Sequence, residues 1–309
     1  MSRVLITGGG GMVGRNLAAH PAAASHEVFA PGRSGLDLSD MGACLAVISE
    51  FRPDLIIHAA GRVGGILANA ANQAGFLVDN LDIGRNIVLA ARQSGVPRLL
   101  NLGSSCMYPR QAPIPIVEES ILSGPLEPTN EGYALAKIMV ARLCDFISES
   151  DGLCYRTAIP CNLYGPHDKF GLEVSHMLPG IINKVHHASM AGLPTVEIWG
   201  DGTARREFMY AADLAEALWH LSGRLEEIPG MINLGMGRDR SVLDYYEAVA
   251  DVIGWQGRFT FDLDRPVGMQ RKLVDTRRQE ALGWSPSTSL RDGIALTYEY
   301  YLGLPDSRK

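Results

Sequence analysis

Two residues four positions apart, Tyr133 and Lys137, form a pair whose side chains suit proton transfer. They lie in a stretch with helical periodicity, and a spacing of four places both side chains on one face of a helix. An ammonium beside a phenol stabilises the phenolate, so we expect the pKa of Tyr133 to fall from about 10 towards working pH. The pair can then exchange a proton with a carbonyl oxygen while a hydride moves to the carbon.

A second candidate group follows a predicted strand, where residues 102–109 read Leu-Gly-Ser-Ser-Cys-Met-Tyr-Pro. Ligands of open parallel sheets bind at the carboxyl ends of strands, so Ser104 or Ser105 can hydrogen-bond the same carbonyl oxygen as Tyr133. Cys106 lies in this turn as well. A free cysteine is more often a small buried apolar residue than a reactive one, so on the residues alone both interpretations of Cys106 stay open.

The chain begins with a nucleotide-binding pattern. An apolar strand candidate at residues 4–7 is followed at once by a GxxGxxG turn, which consists of Gly8, Gly9, Gly10, Gly11, Met12, Val13 and Gly14. Glycines permit a tight turn, close approach of backbone N–H groups to a pyrophosphate, and close packing of helix on strand. Because the motif lies between a strand and a helical pattern, it predicts a dinucleotide site rather than an ordinary strand–helix turn.

The end of the second predicted strand indicates which dinucleotide binds. NAD sites carry Asp or Glu here for the ribose hydroxyls, whereas this chain has Arg33. A guanidinium binds a 2′-phosphate well through its planar fork, although a solvated loop cation is the alternative interpretation. Asp37 follows closely, and we expect it to lie over the adenine. The pattern therefore favours NADP(H).

Composition limits the class of protein. The formal net charge of -6 argues against a nucleic-acid binder, and the chain has no run of 18 apolar residues that would predict a membrane span. The first residues do not resemble a signal peptide. The five cysteines are odd in number and form no CxxC pair, which favours reduced thiols over disulfides or a zinc site. We therefore expect a cytoplasmic enzyme without a bound metal.

The elements that must position these residues alternate between strands and helices over the first 160 residues. Strands are predicted at residues 4–7, 27–30, 55–58, 99–103 and 156–161, and helices at residues 13–20, 41–51, 76–93 and 133–150. Such alternation predicts βαβ units and an α/β fold with a doubly wound parallel sheet of the Rossmann type.

The later chain has a looser pattern. We predict a helix at 181–191, a strand at 196–199, a helix from Asp213, loops after Trp255 and a terminal amphipathic helix. We interpret residues 1–175 as an NADP-binding domain, with returns from about 205–240. Residues 176–309 would form mainly a smaller α/β substrate domain, with the cleft between the two.

The glycine motif, the serines and the Tyr–Lys pair, in this order, resemble the extended short-chain dehydrogenase/reductases, the nucleotide-sugar epimerase and dehydratase group. Within that group, several stretches are similar to the GDP-L-fucose synthases, which are GDP-4-keto-6-deoxy-mannose 3,5-epimerase-4-reductases. These stretches are residues 62–66, 103–109, 126–134, 162–168 and 206–208. The resemblance covers nearly the whole chain and is far more specific than the glycine motif.

The resemblance implies roles for individual residues. Tyr133 would be the acid of ketone reduction, assisted by Lys137 and a serine. Cys106 and His176 would be the base and the acid of epimerisation, since protons beside a carbonyl at carbon 4 are acidic and leave an enolate. Besides the glycine turn, Arg33 and Asp37, the implied cofactor contacts are Leu102, Gly103, Lys137, Pro160, Asn162, Leu163 and His176.

The resemblance also implies a partner, a GDP-linked 4-keto-6-deoxy sugar. Its contacts would be Lys184, Trp199, Arg206 and Lys272, and the guanidinium of Arg206 suits a diphosphate. Core packing is the alternative for Trp199. A homodimer through the helices at 76–93 and 133–150 is expected as well.

Other functions remain open on the sequence. One is a related epimerase/reductase or simple 4-ketoreductase of GDP-colitose precursors or GDP-6-deoxy-heptoses. Another is a nucleotide-sugar 4-epimerase or dehydratase that retains NAD. The last is a non-catalytic dinucleotide sensor on the same fold, because a fold does not determine a function.

Overall fold

A computed structural model describes residues 1–171, 175–265 and 268–305 of the 309-residue chain. The strands of this part are β1 (Arg3–Thr7), β2 (Glu27–Phe29), β3 (Leu55–His58), β4 (Arg98–Leu102), β5 (Cys154–Pro160), β6 (Asn162–Tyr164), β7 (Thr195–Trp199), β8 (Arg205–Arg206), β9 (Phe208–Tyr210), β10 (Met231–Leu234), β11 (Arg240–Ser241) and β12 (Arg258–Asp262). The α-helices are α1 (Met12–Ala19), α2 (Met41–Phe51), α3 (Ile66–Ala71), α4 (Gln73–Gln93), α5 (Glu131–Asp151), α6 (Met177–Met190), α7 (Ala211–Ser222), α8 (Val242–Ile253), α9 (Arg277–Ala281) and α10 (Leu290–Leu302).

Six strands form one parallel sheet in the order β10-β5-β4-β3-β1-β2. β1 pairs with β2 on one side and with β3 on the other, so the direction of winding reverses at β1. Leu5 and Ile6 belong to different apolar clusters because successive side chains of a strand point to opposite faces of the sheet. Both faces are therefore covered, and the predicted doubly wound α/β sheet is confirmed.

The predicted elements of the N-terminal half are present, with shifted ends. α4 begins at Gln73 rather than at 76, because the Asn72 side chain accepts a hydrogen bond from the backbone N–H of Gly75 at 3.0 Å and caps the helix earlier. α5 begins at Glu131 rather than at 133, and β5 runs over Cys154–Pro160 rather than 156–161. These shifts leave Tyr133 and Lys137 in the first two turns of α5.

The later chain corrects three expectations. α6 begins at Met177 rather than at 181, since Pro179 falls in the first turn, where a missing N–H costs no hydrogen bond. The segment after Trp255, expected as loops, contains β12, which pairs in parallel with β7. α8 was not predicted, although Ser241 and Asp244 form a capping box at its start.

The later chain has its own apolar cluster, which is rich in aromatic side chains and joins α6, α8 and α10. β10 and α7, which come from residues 205–240, instead pack with the large sheet. The domain limits drawn from the sequence stay a prediction. Among the described residues, the helices are too short or too polar to cross a lipid bilayer.

Candidate active site

Three glycines of the first turn are required by the packing of the protein itself. Gly8 has φ +76°, a conformation that other residues rarely adopt. A Cβ on Gly9 would lie 2.1 Å from the carbonyl oxygen of Ala30, and one on Gly14 would lie 2.2 Å from that of Gly8. The turn therefore brings β1, the end of β2 and the start of α1 into direct backbone contact.

Gly10 instead borders open space, whereas Gly11 is exposed but lies close to the backbone of its own turn. A Cβ on Gly10 would meet only Gly32, at 3.7 Å, and one on Gly11 would meet the Gly8 oxygen at 3.3 Å. α1 starts at Met12 with no side-chain cap and no acidic residue in its first turn. Its first N–H groups and the positive end of its dipole can therefore receive a pyrophosphate, so the turn fits a dinucleotide.

Arg33 and Asp37 lie in the exposed loop after β2. The Asp37 carboxylate accepts hydrogen bonds from the hydroxyl and the backbone N–H of Ser39, at 2.7 and 3.0 Å, and these bonds hold the pKa of Asp37 below its usual value. Arg33 forms no ion pair within 4 Å in the described part of the chain. Arg33 is therefore available to a 2′-phosphate, and the contact of Asp37 with adenine stays a prediction.

Ser104, Tyr133 and Lys137 meet at the carboxyl end of β4. Ser104 starts a 3-10 turn, where its hydroxyl accepts a hydrogen bond from the Cys106 N–H at 3.2 Å, and its side chain also hydrogen-bonds Tyr133. The Lys137 ammonium donates to the Leu102 carbonyl at 2.8 Å and lies 6.0 Å from the centre of the Tyr133 ring. Ser105 is buried beneath the turn, so Ser104 is the serine beside Tyr133.

The electrostatics of this site correct one expectation from the sequence. Burial raises the pKa of Tyr133 well above its ordinary value, the charge of Cys106 raises it further, and the hydrogen bond from Ser104 lowers it. Lys137 does not reverse this, because its ammonium is directed at the Leu102 carbonyl and burial lowers its own pKa to about 8. Tyr133 therefore keeps its proton, which is the form that an acid needs.

His58, at the end of β3, lies close to the same ammonium. Burial and then the charge of Lys137 lower the pKa of His58 to about 3, so its ring stays neutral. Its Nδ1 forms a hydrogen bond with the Thr7 hydroxyl at 2.7 Å. Gly61 borders the other side of Lys137, where a Cβ would lie 3.5 Å from Nζ.

Cys106 is half-buried in the 3-10 turn after β4. Its Sγ accepts hydrogen bonds from Asn130 Nδ2 at 3.3 Å and from Lys272 Nζ at 3.6 Å. Asn130 holds the N-cap position of α5, but its side chain does not cap the helix; the side chain of Gln73 accepts from the Gly132 N–H instead, at 2.7 Å. The sulfur is therefore hydrogen-bonded from two sides, and the residue also packs against the apolar cluster beside the large sheet.

His176 is the half-buried N-cap residue of α6. Burial and then the charge of Lys169 lower the pKa of His176, which favours the neutral ring. The start of α6 abuts the 62–66 segment, since a Cβ on Gly65 would lie 3.1 Å from the Ser175 oxygen. No hydrogen bond joins His176 to Cys106 among the described residues. The assignment of Cys106 as base and His176 as acid stays a prediction.

Trp199, at the end of β7, has a cation on each of two sides. Lys184 Nζ and the Arg265 guanidinium carbon each lie 5.2 Å from the centre of its ring. Burial and then the positive charge of Arg265 lower the pKa of Lys184, although Glu197 opposes this. The predicted residues Lys184 and Trp199 are therefore together, and the structure adds Arg265 to them.

The other predicted residues lie between these groups. Arg206 is close to Cys106 and Glu127, whose charges oppose the lowering of its pKa by burial. A Cβ on Gly268 would lie 3.6 Å from its guanidinium. The remaining cofactor candidates lie at the ends of β4 and β5 or in β6: Leu102, Gly103, Pro160, Asn162 and Leu163. Among the described residues, no group of three His, Cys, Asp or Glu could hold a metal ion.

Sequence reasoning missed the roles of Asn130, His58 and Arg265. Asn130 lies three residues before Tyr133, within the stretch 126–134 that resembles the GDP-L-fucose synthases. Its position could therefore have indicated a role in the site. His58 ends a buried strand next to the glycine turn. Arg265 had no signal, because it reaches Trp199 only through the pairing of β12 with β7.

A glycine-rich turn where the winding of the sheet reverses, with Ser–Tyr–Lys at the carboxyl ends of the strands, defines a dinucleotide-dependent enzyme of the short-chain dehydrogenase/reductase type. The NAD dependent epimerase/dehydratase family matches residues 4–235, and the chain belongs to this family.

Relatives are similar over nearly their full length. GDP-L-fucose synthase from Azorhizobium caulinodans is 50% identical over 97% of this chain and 96% of the relative. GDP-L-colitose synthase from Yersinia pseudotuberculosis is 46% identical over 97% and 98%. Among solved structures, a GDP-mannoheptose C4 reductase from Campylobacter jejuni with NADP bound has a TM-score of 0.88 and 29% identity, over 97% of this chain and 98% of that chain.

Proposed function

We propose that the protein is an NADPH-dependent epimerase and reductase of a GDP-linked 4-keto-6-deoxy sugar. It converts GDP-4-keto-6-deoxy-D-mannose to GDP-L-fucose by 3,5-epimerisation and then reduction of the 4-ketone. One observation carries the proposal: Cys106 and Tyr133 both lie against Ser104, whose hydroxyl accepts a hydrogen bond from the Cys106 N–H at 3.2 Å and whose side chain hydrogen-bonds Tyr133, so two groups suited to proton transfer share one turn. A simple ketoreductase needs only Ser104, Tyr133 and Lys137.

Epimerisation uses the acidity of the protons on carbons 3 and 5, which flank the carbonyl at carbon 4. The thiolate of Cys106 takes a proton from one face of the sugar and later releases it to solvent. His176 takes up a proton from solvent and returns it to the other face, and the lowered pKa of its ring favours that release. Ser104 and Tyr133 hydrogen-bond the carbonyl oxygen and hold the negative charge of the enolate. Each inversion leaves the composition of the sugar unchanged.

Reduction follows in the same cleft, where bound NADPH supplies the hydride to carbon 4. Tyr133 gives its proton to the oxygen as that oxygen gains negative charge, so the ketone becomes an alcohol. The Lys137 ammonium does not lower the resting pKa of Tyr133, but at 6.0 Å from the centre of the ring it faces the phenolate once the proton has left. The neutral ring of His58 adds no competing charge. The Arg33 guanidinium selects the cofactor that carries a 2′-phosphate.

The nucleotide diphosphate needs cations and a flat apolar surface. Lys184, Arg206 and Arg265 supply the cations, and Trp199 supplies a ring against which a base or sugar can pack. The similarity to enzymes named for GDP-linked sugars supports a guanine nucleotide.

A second candidate is an epimerase/reductase, or a simple 4-ketoreductase, of a GDP-linked precursor of colitose or of a 6-deoxy-heptose. The 46% identity to a GDP-L-colitose synthase and the structural likeness to a GDP-mannoheptose C4 reductase favour it. It shares the reduction step and differs in the sugar or in the number of inverted carbons.

The deciding experiment incubates the protein with GDP-4-keto-6-deoxy-mannose and NADPH in heavy water and analyses the product by NMR. We expect GDP-L-fucose with deuterium at carbons 3 and 5 and consumption of one NADPH per product. Reduction without deuterium at either carbon would support a simple 4-ketoreductase instead. NAD that remains bound through purification, without net consumption of NADPH, would indicate a 4-epimerase or dehydratase.

We also propose a cytoplasmic homodimer that forms through α4 and α5. These helices pack side by side and expose the apolar side chains of Val78, Met139 and Phe146, which are 54%, 52% and 54% exposed. A second copy of the chain would cover them. Sedimentation should show a dimer at micromolar concentration, and a monomer there would contradict the assembly. The five free cysteines fit a reducing compartment.

A further inference from the structure

Lys272 is a buried cation that has no carboxylate partner in the part of the chain that the structure describes. The residue is 8% exposed, and no carboxylate of the described residues lies within 4 Å of its ammonium. A charge that is removed from water normally has a partner of opposite sign, because its desolvation is otherwise unfavourable. The hydrogen bond that its Nζ makes is to Cys106 Sγ, at 3.6 Å.

Backbone hydrogen bonds on both sides hold Lys272 in this position. Its own N–H donates to the Arg205 carbonyl at 3.2 Å, and the next residue, Leu273, accepts a bond from the Ile116 N–H at 2.9 Å. The Glu207 carboxylate accepts a bond from the Val274 N–H at 3.1 Å. The segment that carries Lys272 therefore lies between β8 and the backbone near Ile116, which follows the Cys106 turn. This placement directs the Lys272 side chain at the Cys106 sulfur.

The sulfur has a second donor, the Asn130 amide, at 3.3 Å. A thiolate accepts two such hydrogen bonds better than a thiol, because the charge of the acceptor strengthens them. We propose that Lys272, together with Asn130, is a positioning residue that stabilises the thiolate of Cys106 for proton abstraction from the sugar. This inference rests on the proposed function, and it assigns Lys272 to the epimerisation base rather than to the diphosphate.

The charges around this pair are compatible with the assignment. Facing Cys106 are Tyr133, which keeps its proton, and Arg206, a second cation. Facing Lys272 from β6 and the adjoining turn is Cys161, whose pKa burial raises well above its usual value. Glu207 lies near Cys161 as well, but its carboxylate accepts three backbone N–H bonds. Cys161 therefore stays a thiol and does not compete for the ammonium.

The first test is the rate at which iodoacetamide alkylates Cys106 in the full-length protein with NADP⁺, measured by peptide mass spectrometry. The thiolate is the reactive form, so Lys272→Met should slow alkylation at pH 7 about tenfold, whereas Lys272→Arg should restore most of it. Lys169→Met removes an exposed cation that does not contact the sulfur, and it should leave the alkylation rate unchanged. The half-buried Cys154 is the internal standard for folding. Equal rates in wild type and Lys272→Met would overturn the proposal.

The second test separates the thiolate from the diphosphate by kinetics. We expect Lys272→Met to slow deuterium incorporation from heavy water about tenfold with little change in the KM for the sugar nucleotide. In a Cys106→Ser background the same substitution should have no further effect, since its target is gone. A raised KM in both backgrounds, with unchanged incorporation, would assign Lys272 to the diphosphate and contradict the inference. Because alkylation needs no sugar, it remains decisive even if the proposed substrate is wrong.

Discussion

Two parts of the cleft are proposed to transfer protons, and the chain builds them differently. The reduction corner (Ser104, Tyr133 and Lys137) comes from the end of β4 and the first turns of α5, which pack directly beside the large sheet. The epimerisation corner (Cys106, His176 and Lys272) combines three segments that are far apart in the chain. His176 is the N-cap residue of α6, and a backbone hydrogen bond to the Arg205 carbonyl holds Lys272. The residues of the first corner come from neighbouring elements of the doubly wound fold. Those of the second meet only when distant segments of the chain pack together.

This difference suggests how relatives can share a reaction and differ in substrate. The reduction corner depends on elements that the whole sheet fixes, so changes elsewhere leave it intact. The epimerisation corner depends on the segments at 175–177 and 270–275, which contribute no strand to the large sheet. A change there can alter which carbons are inverted while hydride transfer continues. If the two corners are built independently, single substitutions should inactivate them separately.

The largest effect is expected for Tyr133→Phe. The substitution removes the proton donor of the ketone oxygen and keeps the ring, so hydride transfer should fall by about 10²–10⁴-fold. Deuterium exchange at carbons 3 and 5 should persist at a reduced level, because Cys106 and Ser104 remain. Single-turnover absorbance of NADPH measures the first quantity, and NMR of the recovered ketosugar measures the second. Parallel loss of both activities would show that the corners are not separable.

Cys106→Ser should have the opposite effect. An alcohol is a far weaker base than a thiolate, so we expect deuterium incorporation to fall by about 10²-fold or more. NADPH binding should be unchanged, because Cys106 lies in the turn after β4, whereas the glycine turn follows β1 and Arg33 follows β2. Some reduction of the substrate that was not epimerised should survive. If Cys106→Ser exchanges deuterium at the wild-type rate, Cys106 is a packed thiol and another residue is the base.

The reduction corner could be predicted from the sequence because its geometry is local. A spacing of four on a helix and a polar turn after a strand determine which side chains meet, and the sheet order follows from alternating elements. The charge state could not be predicted in the same way. Tyr133 was expected to have a lowered pKa, but the pKa is raised, because burial depends on everything packed around the ring.

The epimerisation corner could be only partly predicted. Cys106 and His176 were named through a family resemblance, but the contact between Lys272 and Cys106 depends on where the 270–275 segment crosses β8, which no local pattern encodes. The same holds for Arg265 and Trp199, which meet through β12 and β7. Asn130 shows that a local pattern can also predict the wrong contact. An asparagine at the N-cap predicts a capping hydrogen bond, and this side chain does not make one.

The smallest effect expected is a difference in pH dependence between the corners. Burial lowers the pKa of Lys137 from 10.5 to about 8, so its ammonium loses its proton as pH rises through about 8. The stabilisation of the Tyr133 phenolate is lost with it, and hydride transfer should fall above pH 8 by up to about tenfold per unit. Tyr133 itself does not cause this loss, since its pKa is raised. Deuterium exchange should not follow the same decline, because the contacts of its base, Cys106, are Asn130 and Lys272 rather than Lys137.

The control for this difference is Lys137→Arg, which keeps a positive charge over the whole range. Whatever its absolute rate, the variant should lack the decline between pH 8 and 9.5 if loss of the Lys137 ammonium causes it. A decline that persists in Lys137→Arg would assign the pH dependence to another group. A wild-type rate that stays level from pH 7 to 9.5 would mean that the ammonium retains its proton when substrate and cofactor are bound, so that the two corners share one pH profile and differ only in their residues.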